Sequence, residues 1–148
     1  MSIMALVEDV SARVQAEHQL RELAERDPLT GLYKRSVFQV RLEASLARAR
    51  RSGTAVALLF IDLDGFKRVN DSLGHRAGDT VLCDVALRLL GVVRESDTLA
   101  RLGGDEFVIL LDTDQASITA RSAALRQNTS TTKFMSTARC TKALSCTG

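Results

Sequence analysis

The chain has 148 residues, of which 45% are hydrophobic and 26% charged, and this length suits one ordinary domain but not two. The formal net charge is +2, yet residues 1–112 hold 15 basic and 17 acidic side chains, whereas residues 113–148 hold 5 and 1. The body of the chain is therefore mildly acidic, which argues against a nucleic-acid binder that relies on phosphate attraction.

The three cysteines, Cys83, Cys140 and Cys146, form no C-x-x-C pair, and their odd number argues against a secreted disulfide scaffold. Cys83 lies in an apolar helical pattern, and we interpret it as a small core residue. No apolar run approaches the ~18 residues that would span a membrane, and the first residues turn acidic too early for a secretory signal. We therefore expect a soluble, cytoplasmic protein.

Residues 8–26 contain no glycine or proline and many helix formers, so they predict the first helix. Its apolar residues follow a three-four spacing whose register shifts once; they are Val7, Val10, Val14, Ala16, Leu20 and Leu23. This pattern suits a short helix that pairs with a copy of itself, although a plain amphipathic surface helix would show the same pattern. Pro28 should end the helix at Asp27.

The middle of the chain predicts a helix, a strand and a second helix. Residues 36–51 form the first of these helices, with an apolar stripe of Phe38, Leu42, Leu46 and Ala49. Residues 54–61 (TAVALLFI) are continuously apolar, which is typical of a strand buried on both faces. A long helix should follow over residues 78–93, with its inward face formed by Val81, Leu82, Val85, Leu89 and Val92.

Residues 99–111 (LARLGGDEFVILL) are the clearest hairpin, because two apolar arms flank residues 103–106 and a Gly-Gly pair suits a tight turn with positive φ. A strand, helices and a hairpin together predict an α/β domain. Residues 128–148 contain nine serines and threonines and no periodic apolar pattern. We interpret this last segment as an atypical, disordered tail.

Acidic residues follow the buried strand and fill the hairpin turn: Asp62 and Asp64 in one place, Asp105 and Glu106 in the other. If the hairpin pairs beside the strand, these carboxylates converge at one edge of the sheet, where ligands of open α/β sheets bind. Clustered carboxylates repel one another unless a cation neutralises them, and oxygen-only ligands favour Mg²⁺ or Mn²⁺. The pattern predicts a magnesium–nucleotide site; the alternative is that these turn residues are simply solvated.

The segment after the strand offers further groups for a nucleotide. No G-x-x-x-x-G-K-[ST] sequence exists, which excludes a P-loop enzyme. Gly65 lets the backbone approach a phosphate, and Lys67 supplies positive charge unless it is merely a solvated lysine. Asn70 and Asp79 can read a base edge. The alternatives are a turn residue for Asn70 and a helix N-cap for Asp79.

Four motifs together closely resemble the GGDEF family of diguanylate cyclases. They are residues 27–32 (DPLTGL), 62–71 (DLDGFKRVND), 74–79 (GHRAGD) and 101–107 (RLGGDEF). They occur in the family's order and at its spacings, and the resemblance covers about residues 25–127. It implies an α/β (α+β) fold, with a sheet like that of the nucleotide cyclases and the polymerase palm and with flanking helices.

The resemblance implies an enzyme that condenses two GTP molecules into cyclic di-GMP and releases pyrophosphate, with Mg²⁺ or Mn²⁺ as cofactor. Each subunit would hold one GTP, so catalysis would need a symmetric homodimer. Two alternatives remain open. The chain could be a catalytically inactive regulatory domain that binds GTP or cyclic di-GMP, or a non-functional fragment that does not fold alone.

The resemblance also implies roles for single residues. Asp62, Asp105 and the backbone carbonyl of Leu63 would hold the metal, and Glu106 would assist metal binding or activation of the 3′-hydroxyl. The remaining substrate contacts would come from Gly65, Phe66 and Lys67 at the terminal phosphates, Asn70 and Asp79 at guanine, and Gly103 and Gly104, which leave room for the nucleotide.

Arg94 and Asp97 match the family's R-x-x-D motif, which implies an inhibitory site for the product cyclic di-GMP. Arginine can grip phosphate and guanine bidentately, and aspartate can accept from guanine N–H groups. The alternative for this pair is a salt bridge at the end of a helix.

The resemblance divides the chain into three parts. Residues 1–26 resemble the signalling helix that joins an upstream sensor domain to this kind of domain, and residues 27–127 form a partial GGDEF domain. Residues 128–148 resemble none of the elements with which the family domain continues, including a last helix whose basic residues contact GTP phosphates. The chain is therefore expected to be a C-terminally truncated copy that lacks the last strands.

Overall fold

The structure is a computed structural model that describes residues 3–113, 120 and 139–141. Its helices are α1 (Ile3–Glu25), α2 (Arg35–Ser52), α3 (Phe66–Leu73) and α4 (His75–Leu90). Its strands are β1 (Tyr33–Lys34), β2 (Ala55–Asp62), β3 (Thr98–Gly103), β4 (Glu106–Thr113) and β5 (Arg139–Thr141). The predicted α/β (α+β) fold, a sheet with flanking helices, is confirmed.

The strands form one sheet in the order β1-β3-β4-β2-β5. The hairpin β3–β4 lies beside β2, and β4 pairs with β2 in antiparallel register over the whole length of both strands. This pairing sets Asp62 directly opposite Glu106. The hairpin therefore lies beside the buried strand, as the predicted convergence of the carboxylates requires.

Alternate residues of β2 and β4 enter two separate apolar clusters, one on each face of the sheet. One face packs against α4 and contains Leu59, Ile61, Phe107, Ile109, Leu82, Val85 and Leu89 among its buried residues. The other face packs against α2 and contains Phe38, Ala49, Val56, Val108 and Leu110. The predicted apolar faces of both helices thus face the sheet, with Leu42, Leu46, Val81 and Val92 partly buried at the edges.

The prediction of one helix over residues 78–93 is wrong in its bounds. One helix does lie here, but α4 begins at His75 and ends at Leu90, and a further short helix, α3, precedes it. Gly78 and Asp79 therefore lie inside α4, and Asp79 is not an N-cap. Asn70 is likewise not a turn residue, because it lies in α3. The sequence analysis did not predict the short α3, because only Val69 of its eight residues is buried.

Strands β1 and β5 lie outside the sequence prediction. The two residues of β1 pair in parallel with Ala100 and Arg101 of β3, and such a short strand has no periodicity of its own. Three residues of the segment interpreted as a disordered tail form β5, which pairs with Leu58–Phe60 of β2. The prediction for the rest of residues 128–148 lies outside the described residues.

Among the residues that the structure describes, no helix is long and apolar enough to cross a membrane. Cys83 is half-buried on α4, and its thiol donates a hydrogen bond to the Leu29 carbonyl at 3.3 Å. It is a free cysteine that packs between α4 and the turn after α1. The interpretation as a small core residue is therefore met only in part, because Cys83 is half-buried and lies outside the two apolar clusters.

Candidate active site

The turn between β3 and β4 depends on its two glycines. Gly103 has φ 146° and Gly104 has φ 51°, values that residues with a Cβ rarely adopt. A β-bulge lies between Arg101 and Gly103, so the strand bends just before the turn. A Cβ added at either glycine would meet no atom of the described chain within 4 Å. The positive φ angles therefore explain the glycine pair, and the space above the turn is open.

Three carboxylates lie at this end of the sheet. Asp62 and Glu106 are cross-strand partners and are both exposed, whereas Asp105 is half-buried in the turn. The structure gives Asp62 and Asp105 no hydrogen bond or ion pair within its described part. Directly opposed like charges destabilise an antiparallel pair. The arrangement is thus open to a cation and unfavourable without one.

The donor set fits a hard divalent cation. Asp62 and Asp105 would contribute carboxylate oxygens, and the carbonyl of buried Leu63 accepts the Phe66 amide at 3.2 Å. A carbonyl oxygen has a second lone pair to offer. Within the described ranges no group of three or more His, Cys, Asp or Glu side chains is arranged to hold a metal ion. Two carboxylates with one carbonyl suit Mg²⁺, which takes its other ligands from water and phosphate.

Arg101 fixes the turn to a distant part of the chain. Its Nε and Nη2 donate to the Gly104 carbonyl at 3.0 and 2.7 Å. Its Nη1 donates to both carboxylate oxygens of Asp27, at 3.3 and 3.1 Å. The Arg101 and Asp27 side chains are only 13% and 19% exposed. One mostly buried guanidinium thus joins the turn after α1 to the GGDEF turn.

Asp27 also organises its own turn. Its Oδ2 accepts hydrogen bonds from the Thr30 amide at 2.8 Å and from the Thr30 hydroxyl at 2.7 Å. Burial raises the pKa of Asp27, but the Thr30 hydrogen bonds and the Arg101 guanidinium outweigh burial, so the net pKa lies below its usual value of 3.8. The folded state therefore favours the ionised carboxylate.

Basic side chains lie on the two helices, α2 and α3, that begin near the acidic residues. Lys67 is exposed in the first turn of α3. A Cβ at Gly65, which precedes this helix, would lie 3.2 Å from Nη2 of Arg68. Arg35, at the start of α2, lies 3.9 Å from Oε2 of Glu106 and donates to the Leu102 carbonyl at 3.4 Å. Arg35 therefore lies at the acidic edge, and Lys67 and Arg68 lie on the helix that follows β2 in the chain.

The two residues predicted to read the base lie on neighbouring helices. Asn70 is half-buried on α3, and Asp79 is exposed on α4. The side chain of Asn70 lies beside Gly78, the residue that precedes Asp79. Packing of α3 on α4 thus places Asn70 beside the residue that precedes Asp79.

The R-x-x-D residues form a turn after α4. The Asp97 carboxylate accepts the Arg94 backbone amide at 2.7 Å, and the Asp97 amide donates to the Arg94 carbonyl at 3.0 Å. Asp97 is 7% exposed, whereas the Arg94 side chain is exposed. Asp97 therefore holds the turn through the backbone of Arg94, and the inhibitory role of the pair stays a prediction.

Sequence analysis did not assign Arg35, Arg68 or Arg101 to the site. Arg101 stands within a recognised motif, and its place two residues before the glycines is a local signal. Arg35 reaches the turn only because β1 pairs with β3 and starts α2 beside it. A contact of that kind has no local signature.

The chain belongs to the family described as diguanylate cyclase, GGDEF domain, whose profile matches residues 24–146. Its relatives include the diguanylate cyclase TpbB of Pseudomonas aeruginosa, which is 50% identical over 106 residues. That match covers 71% of this chain and 24% of TpbB. The chain spans about a quarter of the length of this curated relative. The matched range also includes part of the segment that we interpreted as a tail.

Solved structures agree with this membership. A form of TpbB from Pseudomonas aeruginosa that comprises only the GGDEF domain has a TM-score of 0.66 and 40% identity, and the match covers 81% of this chain and 69% of that chain. The coiled coil and GGDEF domain of DgcB from Caulobacter crescentus, in complex with c-di-GMP, has a TM-score of 0.70 and 32% identity. That match covers 84% of this chain and 68% of DgcB's.

We predict that Asp27→Asn lowers the free energy of unfolding at neutral pH by about 1–3 kcal/mol, because Arg101 then keeps a mostly buried charge without its partner. Urea denaturation measures the change. Because the folded pKa of Asp27 is lowered, its contribution is present above pH 3.8 and lost as the pH falls through the folded value. The difference between wild type and variant should therefore shrink in acid.

The matched control is Asp84→Asn, which breaks an exposed pair, the 3.0 Å bridge from Arg88. Exposed pairs of this kind contribute about 0.5 kcal/mol or less. Equal effects of Asp27→Asn and Asp84→Asn, or a difference that persists unchanged in acid, would contradict the assignment.

Proposed function

We propose that the chain is the catalytic domain of a diguanylate cyclase, which condenses two GTP molecules into cyclic di-GMP and releases pyrophosphate. The observation that carries the proposal is the opposition of Asp62 and Glu106 at the open end of the sheet, beside a Gly-Gly turn with free space above it. Membership of the family and the relationship to TpbB support it.

In this proposal Asp62, Asp105 and the Leu63 carbonyl hold Mg²⁺. When bound, the ion lowers the pKa of the attacking 3′-hydroxyl and offsets negative charge on the phosphates. The chain's own residues position the nucleotide. Lys67 and the backbone at Gly65 and Phe66 face the terminal phosphates, with Arg68 and Arg35 as further cations. In phosphoryl transfer most of the protein's contribution is such positioning and charge stabilisation.

The proposal requires two copies of the domain, because each copy offers one acidic edge and the product joins two nucleotides. Helix α1 suits the task of pairing them. Val10, Val14, Leu20 and Leu23 on this helix are 57–70% exposed. Burial of these side chains against a second α1 would remove apolar surface from water.

A second role, binding of cyclic di-GMP outside the catalytic edge, has its own support. Arg94 presents an exposed guanidinium on a turn that Asp97 holds in place. The related DgcB domain has been solved in complex with c-di-GMP. In this chain Arg94 would grip a phosphate or guanine edge of the product.

We predict that the purified chain, incubated with GTP and Mg²⁺, forms cyclic di-GMP that chromatography detects. Asp105→Asn should lower the rate by roughly a hundredfold or more, because a metal ligand and a transition-state charge contact are lost together. Asp71→Asn, which removes an exposed carboxylate from α3, is the matched control and should keep the wild-type rate. Removal of Mg²⁺ by a chelator should abolish product formation.

Equal product from wild type and Asp105→Asn would refute the site assignment. A folded chain that binds GTP but makes no product at high concentration would replace the cyclase with the regulatory alternative.

We predict that the rate per molecule rises with protein concentration as dimers form. Leu20→Glu should shift the chain toward monomer and lower the rate at a fixed concentration, because a charge enters the apolar stripe of α1. Gln19→Glu adds the same charge beside the stripe and should leave both unchanged. Sedimentation velocity measures the oligomeric state. A rate per molecule that is independent of concentration, with Leu20→Glu fully active, would contradict pairing through α1.

We predict that the chain binds cyclic di-GMP in calorimetric titration and that Arg94→Ala weakens binding about tenfold or more, because a charge-assisted contact is lost. Arg88→Ala removes another exposed arginine from the end of α4 and should bind like wild type. Identical affinities of the Arg94→Ala and wild-type chains would place the ligand elsewhere.

A further inference from the structure

Gly78 occupies an unusual place for a glycine. It lies inside α4, where glycine is among the least favourable residues, and it is buried. Its φ is not among the positive values of the chain's glycines. Backbone conformation therefore does not explain its presence, and the explanation must lie in the space around it.

That space is filled by Asn70. A Cβ at residue 78 would overlap Oδ1 of Asn70 and lie 2.9 Å from its Cγ. The next nearest atom is Cζ of Phe66, at 3.2 Å. The side-chain amide of Asn70 thus lies directly across α4 at the one point where that helix has no side chain. Asp79, the other residue proposed to read the base, is the next residue along α4.

Gly91, at the other end of α4, has no such neighbour. A Cβ there would come no closer than 3.4 Å to any atom, the nearest being the Arg88 carbonyl oxygen. This is ordinary van der Waals contact, and Gly91 has a right-handed helical conformation. Gly91→Ala, at the C-cap of the same helix, is therefore the control for a glycine-to-alanine change.

We propose that Gly78 is a positioning residue that lets the Asn70 amide lie against α4, one residue before Asp79, and thereby sets the selectivity of the site for a purine base that presents N–H donors and an acceptor, as guanine does. A methyl group at residue 78 would force Asn70 into another rotamer and displace its amide from this position. The inference rests on the proposed function, because it assigns a base-reading task to Asn70.

The experiment is a double-mutant cycle on nucleotide selectivity. Non-hydrolysable GTP and the matching ATP analogue are titrated calorimetrically into wild type, Gly78→Ala, Asn70→Ala and the double variant. Wild type should prefer the GTP analogue. Gly78→Ala and Asn70→Ala should each reduce this preference about tenfold, the value of one or two lost hydrogen bonds. The double variant should show no further loss, and Gly91→Ala should keep the wild-type preference.

A second readout does not depend on nucleotide. The side-chain amide signals of Asn70 in a ¹H–¹⁵N correlation spectrum should move in Gly78→Ala and stay in place in Gly91→Ala. If Gly78→Ala does not fold, the double variant should fold, since removal of the Asn70 amide opens the space. Failure of both variants would assign Gly78 to contact with Phe66 and overturn the proposal.

The outcomes separate this inference from the function on which it rests. If wild type prefers GTP but Gly78→Ala keeps that preference, or if the two losses add in the double variant, the positioning role is overturned and the cyclase proposal stands. If wild type binds the two analogues equally, the nucleotide assignment itself fails, and with it the selectivity role of Gly78.

Discussion

The candidate site depends on the guanidinium of Arg101, which binds both the GGDEF turn and the turn after α1. Arg101 closes the GGDEF turn through the Gly104 carbonyl and binds Asp27, 74 residues earlier in the sequence. Both side chains are mostly withdrawn from solvent, so loss of either would leave the other charge poorly solvated. The shape of the GGDEF turn is therefore tied to the turn that follows α1.

The same region anchors α1 to the domain. Lys34 donates to the Leu23 carbonyl in the last turn of α1 at 2.7 Å. The guanidinium of Arg26 lies 3.9 Å from the centre of the Tyr33 ring, and Arg41 lies 4.1 Å from it. Such cation–π contacts add to the attraction that holds the two segments together. A short path of polar contacts thus links the end of α1, β1, Asp27 and the acidic edge of the sheet.

Local sequence patterns predicted the elements whose own residues carry the signal. The apolar run of β2, the Gly-Gly turn and the stripe of α2 each follow from spacing within one segment, so all three were found close to their observed bounds. The acidic edge could be predicted for the same reason. Asp62 ends β2 and Glu106 begins β4, and the two strands pair once the hairpin lies beside β2.

The incorrect predictions concern positions whose structure depends on contacts between residues that are distant in the sequence. Gly78 and Asp79 predicted the start of a helix, because glycine is unfavourable inside helices and aspartate is favoured at the N-cap. The glycine instead lies inside α4, where α3 packs against it. Strand β1 exists only through β3, and Arg35 reaches Glu106 only through that pairing. Tertiary packing determines these features, and a short segment of sequence does not show which distant residues will pack against it.

The β2–β4 ladder has an apolar part, which stabilises the sheet, and an acidic end, where the candidate site lies. From the Ala57–Leu111 pair to the Ile61–Phe107 pair, the two strands carry only apolar side chains, and most of them are buried. One step further the pair becomes Asp62 and Glu106, both exposed and of like charge. Opposed carboxylates weaken that pair, and Arg35 at 3.9 Å from Glu106 offsets only part of the repulsion, since the contact is exposed. The long apolar ladder behind them stabilises a local arrangement that would not persist alone. A carboxylate pair held together by such a scaffold is ready to receive positive charge, which is the property that a nucleotide–metal site requires.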